Sequence, residues 1–335
     1  MANIVGAFGT SHGPLLTLAA DQWHLREQVD RTRKHAFRGG TYSFDQLVEL
    51  RASEGFGPKN ELATRTAFHA RCQTQLDALG DMALDLNPDV LIIVGDDQHE
   101  WFPTGIQPAF TIYNGDKTLN SKYDLEKMKD WHISRIMVEK FRHTEVDTYY
   151  DCVPELANHI IARAVADEFD VNACPQVPVD ANGPIGMGHA FTFIYRRILR
   201  DRPIPLVPIL VNTFYPPNQP SAKRCYDFGK AIGRAIKSWD SGKRVALFAS
   251  GGLSHYVVDE TWDERMIKAI QTRDEATIAA EPETMFRSGS SETKNWLIVA
   301  GAMAETQMNM NMLDYVPCYR SAAGTGNAMA FANWK

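Results

Sequence analysis

Short apolar runs rich in β-branched residues alternate with longer helical patterns along most of the chain, and this alternation constrains the fold more than any other feature. The runs that we predict to be strands are residues 3–9, 90–95, 109–113, 204–212 and 244–250. The segments that we predict to be helices are residues 65–86, 153–167, 190–200, 221–238, 260–279 and 292–304. This order is typical of an α/β protein, and we predict a layered domain with a central mixed sheet flanked by helices.

The domain organisation that we predict is a single domain over residues 1–335. No fixed-period repeat or low-complexity linker indicates an internal boundary. Residues 15–58 differ from the rest in their dense mixed charge and glycine-containing breaks. We interpret this segment as an inserted helical excursion over one edge of the sheet, which is either a solvated structural face or a lid over a site.

Net charge and cysteine usage narrow the class of function. With 35 basic against 41 acidic residues, the chain has no excess of positive charge to neutralise nucleic-acid phosphates, so a small molecule is the expected partner.

The uncharged stretch over residues 2–20 is too interrupted to span a membrane and lacks the basic start of a signal peptide, which predicts a cytoplasmic protein. The 5 cysteines form no C-x-x-C pair, so we expect any metal to be bound by histidines and carboxylates.

Histidines follow three of the predicted strands, at the edge where open α/β sheets bind their ligands. They are His12, His99 and His255, and His189 lies just before a predicted helix. A single loop histidine is more often a hydrogen-bonding residue than a metal ligand. Their shared placement nevertheless predicts that the four side chains converge at one rim of the sheet.

Glu292 is the first carboxylate to consider as a partner for these histidines. The serine-rich residues before it are typical of a helix start, where the helix dipole alone favours an acidic side chain. In the functional interpretation, Glu292 completes a facial triad of two histidines and one carboxylate, which binds Fe(II) and leaves positions open for substrate and O₂. Asp96 and Asp97 are alternatives for this carboxylate, and they equally suit a role in stabilising the turn or orienting an imidazole.

Four motifs together resemble those of a known family: Thr10-Ser11-His12, Asp97-Gln98-His99, Gly251-Gly252-Leu253-Ser254-His255, and Glu292 shortly before Trp296. In order and spacing they resemble the class III extradiol ring-cleavage dioxygenases, in particular the group with the protocatechuate 4,5-dioxygenase β subunit and the gallate and 3-O-methylgallate dioxygenases. The resemblance covers most of the chain apart from residues 15–58.

The resemblance implies a role for each candidate side chain. It implies that His12, His99 and Glu292 bind Fe(II). It also implies that His255 is the catalytic acid and base and that His189 hydrogen-bonds a substrate hydroxyl. An ungapped match puts Gln98 where the family has its second histidine ligand. Because imidazole is a better Fe(II) ligand than an amide, we favour His99 with a one-residue local shift.

The activity implied by the resemblance is extradiol cleavage of a catechol-type aromatic acid, such as 3-O-methylgallate, gallate or protocatechuate from lignin breakdown, with both atoms of O₂ incorporated. We expect a cation or hydrogen-bond donors to bind the substrate carboxylate, and the candidates are Arg320, Ser321 and Thr325. One alternative is a zinc hydrolase, because the same ligands suit Zn²⁺, although no H-E-x-x-H motif is present. The other is a metal-free, non-catalytic binding protein. A homodimer is expected only because it is the commonest oligomer.

Overall fold

The computed structural model describes residues 1–102, 105–128, 132–142, 144–181 and 183–335, and its centre is a nine-stranded mixed sheet. In chain order the strands of this sheet are β1 (Asn3–Thr10), β2 (Val90–Asp96), β3 (Phe110–Tyr113), β4 (Asn172–Cys174), β5 (Leu206–Val211), β6 (Arg244–Ser250), β7 (His255–Val257), β8 (Met310–Tyr319) and β9 (Thr325–Trp334). Outside it, short strands pair as His35–Phe37 with Gly40–Tyr42, Lys117–Asn120 with Thr148–Asp151, and Val179–Asp180 with Gly183–Pro184.

The α-helices surround this sheet and connect its strands. They are α1 (His24–Asp30), α2 (Phe44–Leu50), α3 (Phe56–Lys59), α4 (Leu62–Asp85), α5 (His132–Phe141), α6 (Pro154–Ala166), α7 (His189–Phe193), α8 (Ala222–Ser238), α9 (Glu260–Thr272), α10 (Glu275–Ala280) and α11 (Thr293–Ala304). A π-helical turn, Ile194–Ile198, continues α7. The predicted α/β class and the central mixed sheet flanked by helices are therefore confirmed.

The order of strands across the sheet is β7-β9-β1-β6-β2-β5-β3-β4, and β8 also pairs with β9. The central strands β1, β6, β2 and β5 are parallel to one another. The strands β9, β7 and β8 add to one side in antiparallel pairs, and β3 is antiparallel to β5 on the other side. Because the central strands are parallel, their carboxyl ends lie at one edge of the sheet.

Each face of the sheet is covered by its own helical layer. Alternate side chains of β2 separate to the two faces, as the period of a strand requires: Ile92 packs into the core formed with α6, α8, α9 and α11, and Leu91 into the core formed with α4 and α7. In the first layer α8 and α11 approach closely, because a Cβ at Gly229 would lie 1.9 Å from the carbonyl oxygen of Ile298. Within the described residues, no helix is both long and apolar enough to cross a lipid bilayer.

The strands predicted from β-branched runs are confirmed within a few residues, whereas the C-terminal hairpin of β8 and β9 was not predicted. Strand β9 is fully buried but consists largely of small residues and asparagine, which have low strand propensity. Its place in the sheet comes from pairing with β1 and β8 rather than from local preference. The predicted helix over residues 260–279 is two helices, α9 and α10, separated at Arg273, whose φ is 55°.

Residues 15–58 lie against the β7 end of the sheet. Phe37, Phe44 and Leu47 form a small core with Val257 of β7 and Ala323 of the β8–β9 turn. The segment combines helices α1 to α3 with the strand pair His35–Phe37 and Gly40–Tyr42, so it is only partly helical. Its position over one sheet edge agrees with the interpretation of an excursion, and the single-domain organisation stays a prediction.

Candidate metal centre

The candidate site lies at the carboxyl edge of the parallel strands, where chain segments that are distant in sequence meet. His12 follows β1, Asp96 ends β2, and His255 begins β7 a few residues after β6. His189 is the first residue of α7, and Glu292 immediately precedes α11. Four of the five side chains are buried, and His189 is partly exposed, so the site is a pocket rather than a surface patch.

Four of these side chains direct ligand atoms at one point. One atom each of His12, Asp96, His189 and Glu292 lies within 4.8 Å of the others. Nε2 of His12 is 3.1 Å from Oε2 of Glu292 and 3.2 Å from Nε2 of His189, and it is 3.9 Å from Oδ1 of Asp96. Two imidazoles and carboxylates are ligands that suit Fe(II) and also Zn²⁺, so the donor set fits the metal that the sequence predicts.

The partners of the two imidazoles assign their tautomers. The Ser250 hydroxyl donates to the carbonyl of Ala190, 2.6 Å away, so it accepts from Nδ1–H of His12 at 3.0 Å. Nδ1–H of His189 donates to Glu100 Oε2 at 2.8 Å. In its neutral form each histidine therefore turns an Nε2 lone pair toward the cluster. Two such nitrogens 3.2 Å apart repel unless a cation or a proton lies between them, which is the environment of a metal site.

Glu100 positions His189 from the side away from the cluster. Its carboxylate accepts hydrogen bonds from the backbone N–H of His189 at 2.9 Å and from Nδ1 at 2.8 Å, and it pairs with Arg142 at 2.9 Å. Burial raises the pKa of Glu100, but these cations lower it more, and the net pKa is well below its usual value. Burial lowers the pKa of His189, whereas Glu100 and Asp96 raise it to about 9.

The two carboxylates of the cluster differ in their surroundings. Glu292 accepts a hydrogen bond from the backbone N–H of Gly252 at 3.1 Å and contacts both His12 and His255. Burial raises its pKa, but the two histidines outweigh burial and hold the pKa well below its usual value. Asp96 is completely buried, and burial followed by the nearby Glu292 raises its pKa. Glu292 is therefore the carboxylate that the site keeps ionised.

His255 lies on the other side of Glu292. Its Nδ1–H donates to the carbonyl of Leu253 at 2.7 Å, and its Nε2 is 3.2 Å from Oε1 of Glu292. Burial lowers the pKa of His255, but the charge of Glu292 raises it more, and the net shift is upward. Gly289 packs directly against this ring, since a Cβ there would lie 2.0 Å from Cδ2 of His255.

His99 lies outside the cluster, and Gln98 lies inside it. His99 has a positive φ of 59°, hydrogen-bonds the carbonyl of Phe102 through Nδ1 and stacks on Tyr215 at 3.6 Å. The Gln98 amide instead donates to Oε1 of Glu292 at 3.2 Å. The one-residue shift that we expected for His99 does not occur, because the left-handed backbone turns its imidazole away. The structure thus places Gln98, rather than His99, beside Glu292.

Arg320, Ser321 and Thr325 form a buried network away from the cavity. Arg320 pairs with both oxygens of Asp30 at 2.7 and 2.9 Å, and the Thr325 hydroxyl donates to Asp30 at 2.7 Å. Ser321 in turn hydrogen-bonds Thr325 at 2.7 Å. Because α1 already supplies the carboxylate that these groups bind, they are not available to a substrate carboxylate as we expected.

A cavity of about 330 Å³ opens over the cluster. Its lining residues are His12, Gly13, Pro14, Arg26, Gln98, Glu100, Val138, Arg142, His189, His255, Tyr256 and Glu292. Sequence reasoning missed Arg26, Glu100, Arg142 and Tyr256. Glu100 could have been predicted to line the site, because it lies in the same loop as Gln98. Arg26 could not, because its position depends on how residues 15–58 pack.

Comparisons with known proteins identify the family to which this chain belongs. Residues 6–326 match the family model described as the catalytic LigB subunit of aromatic ring-opening dioxygenase. A gallate dioxygenase from Pseudomonas putida is 30% identical over 176 residues, which are 48% of this chain and 49% of that protein. The matched region is thus about half the length of this curated relative.

Proposed function

The chain belongs to the LigB family of catalytic subunits of aromatic ring-opening dioxygenases, and on that premise we propose that it is an Fe(II)-dependent extradiol dioxygenase. The proposed substrate is a catechol-type aromatic acid, and the proposed reaction opens its ring with both atoms of O₂. The observation that carries the proposal is the convergence of two oriented imidazoles and the Glu292 carboxylate within 4.8 Å in a cavity that they line.

We infer that the metal ligands are His12, His189 and Glu292. His189 replaces His99 in this set, because its Nε2 faces that of His12 and Glu100 holds its ring in the required tautomer. Two histidines and one carboxylate form the facial arrangement typical of non-haem Fe(II) oxygenases. When bound, Fe(II) supplies open positions for substrate oxygens and O₂ and the redox chemistry that Zn²⁺ lacks. Asp96 lies beside the set and suits a role in balancing its charge.

His255 is the proposed acid and base. Its Nδ1–H is held by the Leu253 carbonyl, so Nε2 is the ring atom that exchanges a proton with a substrate hydroxyl. Glu292, 3.2 Å away, stabilises the imidazolium that forms when Nε2 accepts this proton. The backbone N–H of Gly252 in turn fixes Glu292. This arrangement lets His255 take a proton from a catechol hydroxyl and return it after ring opening.

Gallate, 3-O-methylgallate and protocatechuate are the proposed substrates. The likeness to a gallate dioxygenase supports an acid with adjacent ring hydroxyls. A cavity of about 330 Å³ is of the size that holds a single substituted ring. A cytoplasmic location and a homodimer stay predictions from the sequence.

The test is oxygen consumption by the metal-loaded protein. Protein loaded anaerobically with Fe(II) is mixed with gallate, 3-O-methylgallate, protocatechuate or catechol, and O₂ uptake is measured together with the absorbance of the ring-opened product. We expect O₂ uptake with at least one acid, and none from Zn²⁺-loaded protein or from Glu292→Ala. Absence of O₂ uptake with every substrate would remove the proposal and favour the zinc hydrolase or the binding protein.

A further inference from the structure

Arg26 lines the cavity with a guanidinium that pairs with no carboxylate of the described residues. It lies on α1, in the segment of residues 15–58, and it lines the cavity together with His255, Tyr256 and Glu292. In the part of the chain that the structure describes, its side chain has no ion pair within 4.0 Å, and its buried Nε has no hydrogen-bond acceptor. Burial, followed by the charge of Arg320, lowers the pKa of Arg26. The guanidinium nevertheless keeps its charge at neutral pH, because arginine does not lose its proton in proteins.

The buried arginines of this region each pair with a carboxylate: Arg51 with Glu54, and Arg320 with Asp30. The exposed Arg38 also has one, in Asp259. Arg142, the second guanidinium of the cavity, pairs with Glu100 and so supports His189. A partly buried cation that pairs with no carboxylate of the described residues is costly to a fold, so its place in the cavity lining favours the binding of an anion there.

We propose that Arg26 binds the carboxylate of the aromatic acid and so selects acids over neutral catechols, an inference that rests on the proposed function. The planar guanidinium can donate two parallel hydrogen bonds to a carboxylate, and such pairs are strong where water is excluded. The charge of Arg26 acts on Tyr256, and both residues line the same cavity as His255 and the proposed metal ligands. The ring hydroxyls thus meet the metal centre and His255 while the carboxylate meets Arg26.

This assignment gives residues 15–58 a function. The segment is held to the rest of the protein by Asp30 on Arg320 and by Arg38 on Asp259, so α1 is fixed at the cavity rather than loosely attached. As a lid, the segment thus contributes the charge that binds the substrate carboxylate. The residues at the strand ends carry out the reaction.

The experiment compares two substrates that differ only in the carboxylate, protocatechuate and catechol, or gallate and pyrogallol. Arg26→Gln removes the charge, Arg26→Lys keeps it without the paired geometry, and Arg33→Gln makes the same charge change at an exposed position of the same segment. We expect Arg26→Gln to lower kcat/KM for the acid about 100-fold, mainly through KM, and to leave the neutral catechol within about threefold. Arg26→Lys should recover about tenfold, and Arg33→Gln should match the wild type.

Two results would overturn the assignment: an equal loss of kcat/KM with both substrates, or an unchanged kcat/KM for the acid. If the wild type opens neither ring, the proposed function fails but Arg26 is still tested, because equilibrium binding of benzoate is then compared between the wild type and Arg26→Gln. Weaker binding by the variant would support a carboxylate site at Arg26. Equal binding, or no binding to the wild type, would reject it. Circular dichroism confirms that each variant is folded.

Discussion

Replacing Glu100 by glutamine tests how the second imidazole is held in place. The carboxylate accepts two hydrogen bonds from His189 and pairs with Arg142, so both of its oxygens face donors. Glutamine keeps one acceptor oxygen and turns an NH₂ group toward another donor. At least one charge-assisted hydrogen bond is therefore lost, at a cost of roughly 1.5–3 kcal/mol. Replacing a carboxylate that orients a ligand histidine typically weakens metal binding by about 10- to 100-fold. The free-energy cost given above corresponds to about the same loss of affinity.

The assay is an anaerobic titration with Co(II), an air-stable analogue of Fe(II) that reports its coordination through visible absorbance. We expect Glu100→Gln to raise the Kd about 10- to 100-fold. The control Glu139→Gln, an exposed glutamate on α5, should leave the Kd unchanged. In a His189→Ala background, Glu100→Gln should add little, because the two residues act on the same ligand. A Kd for Glu100→Gln within about threefold of the wild type, or a fully additive double variant, would refute the proposed role of His189.

Three further expectations concern residues around the site. Gly289→Ala would place a methyl group 2.0 Å from His255, so turnover should fall at least about tenfold in steady-state kinetics while metal affinity stays within about threefold. His99→Ala should leave metal affinity unchanged in the same titration, because that ring stacks on Tyr215 instead; a tenfold loss would contradict the geometry. Burial raises the pKa of Asp263 to about 7, from 3.8, so the stability it confers is complete below about pH 4 and is lost as pH rises to about 7. Across this pH range, the free energy of unfolding measured by chemical denaturation should vary by up to about 4 kcal/mol less in Asp263→Asn than in the wild type.

The sequence was enough to predict that His12 and His255 meet at one edge of the sheet, because this follows from their positions after predicted strands. His12 and His255 stand where parallel strands end, and the alternation of strands and helices is enough to bring those ends together. Glu292 was a candidate acid at a helix start, but that position alone also explains an acidic side chain, so the sequence left Asp96 and Asp97 as alternatives. The likeness to a family then gave the same residues a chemistry.

The remaining features depend on which distant groups pair. Arg320 and Arg26 are both arginines near polar residues. Only the packing of α1 shows that Asp30 binds Arg320, whereas no carboxylate in the described ranges pairs with Arg26. His99 and Gln98 are neighbours, and the backbone conformation at His99 decides which of them enters the cluster. Strand β9 likewise has little strand preference of its own and forms through pairing with β1 and β8.

The most direct test of the central claim is an anaerobic Fe(II) titration of the wild type and of His12→Ala, His189→Ala and Glu292→Ala. The account predicts that one Fe(II) binds per chain and that each substitution weakens binding more than about tenfold, because each removes one of three ligands. Equal Fe(II) binding by the wild type and Glu292→Ala would contradict it, as would the absence of a tight site in the wild type.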